Sequence, residues 1–112
     1  MALPPITTEA IRAAILAGRW AMTRHARERA GSRHIGDGAV ALAVARGEVL
    51  EEYTDEPRGA SALVLGYTGE GRPLHAVCAF DPSGTLLIVT VYEPGPPRWL
   101  DERTRRSAGE GI

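Results

Sequence analysis

Residues 73–92 read Pro73-Leu74-His75-Ala76-Val77-Cys78-Ala79-Phe80-Asp81-Pro82-Ser83-Gly84-Thr85-Leu86-Leu87-Ile88-Val89-Thr90-Val91-Tyr92. Two largely apolar runs, Pro73 to Phe80 and the β-branched-rich Leu86 to Tyr92, flank Asp81-Pro82-Ser83-Gly84, a cluster of turn formers. That pattern predicts an antiparallel hairpin. With a four-residue loop, Phe80 faces Thr85 and His75 lies directly opposite Thr90, with Tyr92 diagonal to His75 on the same face. Diagonal neighbours sit about 7–8 Å apart, close enough to act on one small group. A one-residue slip breaks this pairing.

Upstream of the hairpin the alternation continues. Ala62 to Thr68 predicts a further strand, joined to Pro73 by Gly69-Glu70-Gly71, and Val49 to Thr54 predicts the first. Asp55-Glu56-Pro57-Arg58-Gly59 reads as a loop. Before residue 48 the period is helical. Thr7 or Thr8 caps a helix bearing Ile11, Ala14 and Ile15 and closed by Gly18. Leu3-Pro4-Pro5 is an extended lead-in. Arg19 to Met22 is a short connector or strand, and Thr23 caps an Arg-rich helix, Arg24 to Ala30, ended by Gly31. Asp37 caps a third helix carrying Val40, Leu42, Ala43 and Val44, with Gly47 past its end. The expected fold is α+β: two to three N-terminal helices packed on a four-stranded antiparallel meander. The 112 residues are expected to form one domain, ending in a polar tail over 100–112 with Trp99 as its apolar anchor.

Composition narrows the function classes. A chain 44% hydrophobic with net charge −1 is not a disordered tail. No run approaches a membrane span and no charged leader precedes an apolar core, so neither a bilayer nor export is expected. The single cysteine, Cys78, excludes a disulfide framework and a thiolate zinc site and fits a reducing cytoplasm. The small net charge conceals a sorting. Residues 10–47 hold seven arginines against Glu28 and Asp37, a balance of +5, whereas residues 48–71 hold Arg58 against six acids, a balance of −5. All thirteen basic residues are arginine, whose planar forks suit phosphate oxygens.

Two clusters carry candidate chemistry. His75, Thr90 and Tyr92 gather at the exit of two otherwise apolar strands, where a neutral imidazole can take a proton and a phenol can give or orient one. A structural, hydrogen-bonded histidine is the plainer reading of the same residues. On the second helix His25 and Arg29 share a face, while Arg24 and Glu28 form a separate surface pair and Ala26 and Ala30 turn inward. This is either a solvated basic face or an oxyanion site. His25, His34 and His75 show no metal-ligand spacing, so no metal or other cofactor is expected.

Thr23-Arg24-His25-Ala26 with Arg29, Arg33-His34-Ile35, Gly47-Glu48-Val49-Leu50 through Tyr53, Leu63-Val64-Leu65-Gly66, Gly71-Arg72-Pro73-Leu74-His75 and Thr90-Val91-Tyr92-Glu93-Pro94 occur in that order. Together they resemble a widespread family of small bacterial proteins grouped as a domain of unknown function, over about residues 20–99. The resemblance implies a fold similar to RelE-like toxins, helices on an antiparallel sheet, and a partner of the MqsA/YgiT zinc-finger antitoxin kind. It places the family's polar positions on His25, Arg29, Arg72, His75, Thr90 and Tyr92. At residue 34 this chain has His where the pattern has Gly, and His34 receives no role.

The leading expectation is a cytoplasmic, metal-independent endoribonuclease toxin acting on mRNA. In it His75 or Tyr92 takes a 2′-hydroxyl proton and Arg29 helps hold the phosphate, with His25 protonating the leaving oxygen. Arg24, Arg72 and Thr90 bind substrate. The alternative is a non-catalytic module that binds nucleic acid or protein through the same basic face.

Overall fold

A computed structural model describes residues 5–54, 59–96 and 98–105. The first part of the expected lead-in, loop residues 55–58 and the end of the tail lie outside these. Three helices, α1 (Thr8–Leu16), α2 (Arg24–Gly31) and α3 (Asp37–Ala45), pack on one face of a five-stranded sheet. The strands are β1 (Trp20–Met22), β2 (Glu48–Tyr53), β3 (Ser61–Tyr67), β4 (Pro73–Phe80) and β5 (Leu86–Tyr92), in spatial order β1-β5-β4-β3-β2.

The expected four-stranded meander is therefore corrected by one strand. β2 to β5 are antiparallel neighbours, but Trp20, Ala21 and Met22 pair in parallel with Leu86, Leu87 and Ile88. Three residues between two helices are too short for an alternation signal, and their partner lies more than sixty residues away. Thr23 ties this edge together. Its hydroxyl accepts from the Ala26 N–H as the α2 cap and donates to the Val89 carbonyl at 2.7 Å.

The β4–β5 register is also corrected. The loop has three residues, Pro82 to Gly84, closed by the Asp81 N–H on the Thr85 carbonyl, and Gly84 occupies the left-handed region at φ +87. The Asp81 carboxylate accepts from the Ser83 and Thr85 amides, which fixes the turn. Phe80 thus faces Leu86, one step from the expected pairing. That step alone would turn Tyr92 to the opposite face from His75. A bulge at Val89 shifts the ladder again, between Val77↔Thr90 and Cys78↔Ile88, and restores the face. His75 lies directly across from Tyr92, and Thr90 lies across from Val77.

The main core sits between helices and sheet. Ile11 and Ala14 of α1, Ala26 and Ala30 of α2, and Val40, Ala43 and Val44 of α3 meet Ala62, Val64, Leu74, Ala76, Cys78, Leu86, Ile88 and Val91. Gly66 lets α3 approach closely, because a Cβ there would collide with the backbone carbonyl of Ala43. Gly36, not Asp37, occupies the α3 N-cap, and Asp37 stands in the first turn, where it pairs with Arg27 at 3.2 Å. Past the end of α2 the Ile35 N–H returns to the Ala30 carbonyl, which requires His34 to adopt φ +59. A glycine takes this conformation without strain.

The opposite sheet face carries a second, smaller layer. There the segment 99–105 folds back as a strap, with Trp99 and Arg105 bridged and the Leu100 N–H on the Thr104 carbonyl. Trp99 is 3% exposed, and the Leu63 and Leu65 side chains of this sheet face are buried. No helix among the described residues is long and apolar enough to cross a membrane.

Candidate functional site

β4 and β5 present His75 and Tyr92 on the strap-covered face, with the Tyr92 hydroxyl 3.1 Å from His75 Nδ1. The other ring nitrogen, Nε2, is 2.7 Å from the Glu102 carbonyl oxygen. A carbonyl can only accept, so Nε2 carries the proton and donates it. In the neutral ring Nδ1 is then the acceptor and the Tyr92 hydroxyl the donor. His75 is 0% exposed and packs edge-on against Tyr92 and Trp99. Burial holds its pKa below the usual 6.5, opposed by the Glu102 hydrogen bond and the Glu51 carboxylate. Burial also raises the Tyr92 phenol, against the pull of the Trp99 side chain. At neutral pH both groups are uncharged.

The strap is held by ion pairs on β2. Arg105 forks onto Glu51 with Nε–Oε2 at 3.0 Å and Nη2–Oε1 at 2.8 Å, while its guanidinium lies 4.6 Å over the Trp99 ring. Tyr53 donates to the same carboxylate. These contacts push Glu51 below the carboxylate range, Arg105 first among the causes, and burial together with Glu51 lifts Tyr53 to about 12. Arg103 pairs with Glu48, and Tyr67 donates to the Glu102 carboxylate at 3.1 Å.

Beside Tyr92 a cavity of about 190 Å³ opens to solvent, lined by Arg29, Tyr92, Glu93, Arg98 and Trp99 among others. Glu93 is engaged elsewhere through one oxygen, by Arg72 at 2.6 Å and Arg33 at 3.0 Å. Arg72 is the main cause that depresses the Glu93 pKa. Arg29 and Arg98 line the cavity with this one carboxylate, which Arg72 and Arg33 already neutralise, so the cavity is positively charged on balance.

The structure brings His75, Tyr92 and Arg29 together. Arg72 reaches the edge of this group through Glu93. Thr90 is half-buried on the same sheet face, opposite Val77. His25 is exposed on α2 outside the residues lining the cavity, and Arg24 is exposed and paired with Glu28 at 3.0 Å. Glu51, Tyr53, Arg98, Glu102 and Arg105 were not expected at the site. Glu51 and Tyr53 show a signal in sequence, the i, i+2 spacing of one strand face, but nothing local says that a tail covers it. Among the described residues no group of His, Cys, Asp and Glu side chains could hold a metal ion. Cys78 faces the helices, and burial lifts its thiol to about 12, so it is inert as a nucleophile.

A family model described as Domain of unknown function (DUF4258) matches residues 22–93, from the end of β1 to the residue after β5. No curated protein and no solved structure matches the chain.

Proposed function

The chain belongs to the DUF4258 family, and from that premise we propose that it is an RNA-binding, metal-independent endoribonuclease whose reactive group is the Tyr92–His75 pair. The observation that carries this is a half-buried tyrosine that lines a cationic cavity and whose hydroxyl is hydrogen-bonded to a buried imidazole with Nδ1 as the acceptor. The 2′-hydroxyl of a bound RNA gives its proton to Tyr92 Oη as the Tyr92 proton passes to His75 Nδ1. The 2′-oxygen forms a bond to the adjacent phosphorus, the bond from phosphorus to the 5′-oxygen breaks, and water at the open side protonates the leaving oxygen. Arg29 and Arg98 hold the phosphate as charge accumulates. Single-stranded RNA fits a shallow open site best, since its 2′-hydroxyls and phosphates are accessible. The role of a toxin neutralised by a zinc-finger antitoxin, and a fold of the RelE-like kind, belong to the same proposal.

A second reading has its own support. His75 is fully buried with both ring nitrogens engaged, which suits a structural residue in a non-catalytic RNA-binding module. Incubation with single-stranded RNA in the presence of a chelator separates the two. The nuclease gives fragments ending in 2′,3′-cyclic phosphate, and Tyr92→Phe slows their appearance by about 10²–10⁴-fold. Salt-sensitive binding without any cleavage overturns the catalytic reading in favour of the module.

A further inference from the structure

On the helical side of the sheet, α3 is unusual in composition. From Gly38 to Ala45 it reads Gly-Ala-Val-Ala-Leu-Ala-Val-Ala, with no polar side chain on any face. A helix that is apolar all round is ordinarily enclosed on every side. Here Val40, Ala41, Ala43, Val44 and Ala45 are buried, but Ala39, Leu42 and Arg46 form an exposed stripe at i, i+3 and i+7. Leu42 is 47% exposed, and Leu16 at the end of α1 is 75% exposed. The two leucines line one shallow cavity of about 520 Å³ with Arg12, Ala45 and Arg46, and Leu42 and Arg46 also line a second beside Tyr67. Together these make a continuous apolar groove from α1 across α3 to the β3–β4 turn.

The charged residues that line these two cavities, Arg12 and Arg46, have one sign. Arg12 donates from Nε to the Ala45 carbonyl at 2.9 Å, which pins its guanidinium across the α1–α3 seam. Among the described residues neither Arg12 nor Arg46 has a carboxylate partner within ion-pair distance. Asp37, the one acid on α3, is taken by Arg27. A second copy of the chain would bring four guanidinium groups into one interface with no groove carboxylate to meet them. Like-charge contacts of that kind disfavour self-association.

We propose that the α1–α3 groove is a docking surface for an acidic amphipathic helix of a partner protein. Its apolar stripe lies against Leu16, Ala39 and Leu42, and its flanking carboxylates pair with Arg12 and Arg46. The partner follows from the chemistry of the groove: apolar anchors at helical spacing select a helix, and the unpaired guanidinium groups select its charge. This surface is on the opposite side of the sheet from Tyr92 and His75, so the proposal stands independently of the RNA reading.

The probe is a synthetic helix of about 18 residues, long enough to span the groove, with leucines at i, i+3, i+7 and i+10 flanked by glutamates. Its control has lysine at every glutamate. Fluorescence anisotropy with the full chain should show saturable binding of the acidic peptide that weakens with salt, and no binding of the basic one. Leu42→Ser and Arg46→Glu change exposed side chains, and unchanged thermal midpoints confirm intact folds. Each should weaken acidic-peptide binding about tenfold or more. Equal binding of both peptides, no binding of the acidic one, or binding indifferent to both substitutions overturns the proposal. So does concentration-dependent dimerisation that Leu42→Ser abolishes, which would make a second copy the occupant.

Discussion

The Tyr92 hydroxyl donates to His75 Nδ1 because the opposite ring nitrogen is committed to the Glu102 carbonyl. Burial makes protonation of the imidazole costlier in the folded chain than in the unfolded one, against the Glu102 hydrogen bond, which favours it. Its folded pKa lies below the ordinary 6.5, so this contribution to stability is fully present above pH 6.5. It is lost as pH falls from 6.5 through the folded value, because the unfolded chain binds the proton first. The thermal midpoint should decline across that interval before the carboxylates titrate. Following the His75 ring by NMR checks the assignment, and a midpoint above 6.5 would refute it.

Trp99 joins the strap to the sheet. Truncation to alanine opens a cavity beside His75 and should cost about 3–5 kcal/mol in urea denaturation. Arg105→Ala removes an exposed clamp instead, with a loss nearer about 1 kcal/mol. A Trp99→Ala chain as stable as the parent would show that the strap does not dock as described.

His34 holds φ +59 to close the end of α2. His34→Gly relieves a strain of about 1–2 kcal/mol, offset in part by the greater freedom of glycine in the unfolded chain. A net gain of about 0.5–1 kcal/mol is expected, read as a rise in the denaturant midpoint. An unchanged or lower midpoint would argue against the left-handed turn.

Gly66→Ala should destabilise by about 1–3 kcal/mol, because the new methyl group meets the Ala43 backbone. The obstructing atom is a carbonyl oxygen, so Ala43→Gly should not rescue the variant. A full rescue would place the collision at the Ala43 side chain.

For RNA binding, Arg29→Ala and Arg98→Ala should each weaken affinity and lower the slope of log affinity against log salt by about 1. His25→Ala, which changes a residue outside the cavity lining, should leave both unchanged. Filter binding across a salt series distinguishes these outcomes, and an equal loss from His25→Ala would move the contact surface onto the outer face of α2.

Much of the fold is legible because short-range chemistry writes it. The helices carry caps at Thr7 and Thr23, and the hairpins carry Gly71 and Gly84 at positive φ. Tyr92 and His75 are on one face as expected, but by a route the pattern does not display. A shorter loop and a bulge at Val89 each move the ladder by one residue, and only their sum preserves the face. A bulge has no strong local signature among β-branched neighbours. The strap is less legible still, since Trp99 appears as a lone anchor in a polar tail and the partners of Arg105, Glu51 and Tyr53, lie more than fifty residues earlier. Charge sorting pointed to a basic face, yet it could not show that Arg72 spends its charge on Glu93.

The parallel pairing of Trp20–Met22 with Leu86–Ile88 also sets a schedule for the chain as it is made. The first strand leaves the ribosome well before its neighbour, and α2 packs chiefly on that same late strand. Until β5 emerges, the outer side of β4 and the apolar edge of α2 have nothing to close against. A nascent chain stalled after residue 80 would therefore hold an open sheet edge and an undocked helix. Completion of folding waits for β5, so the Tyr92–His75 pair forms only once both β4 and β5 have emerged.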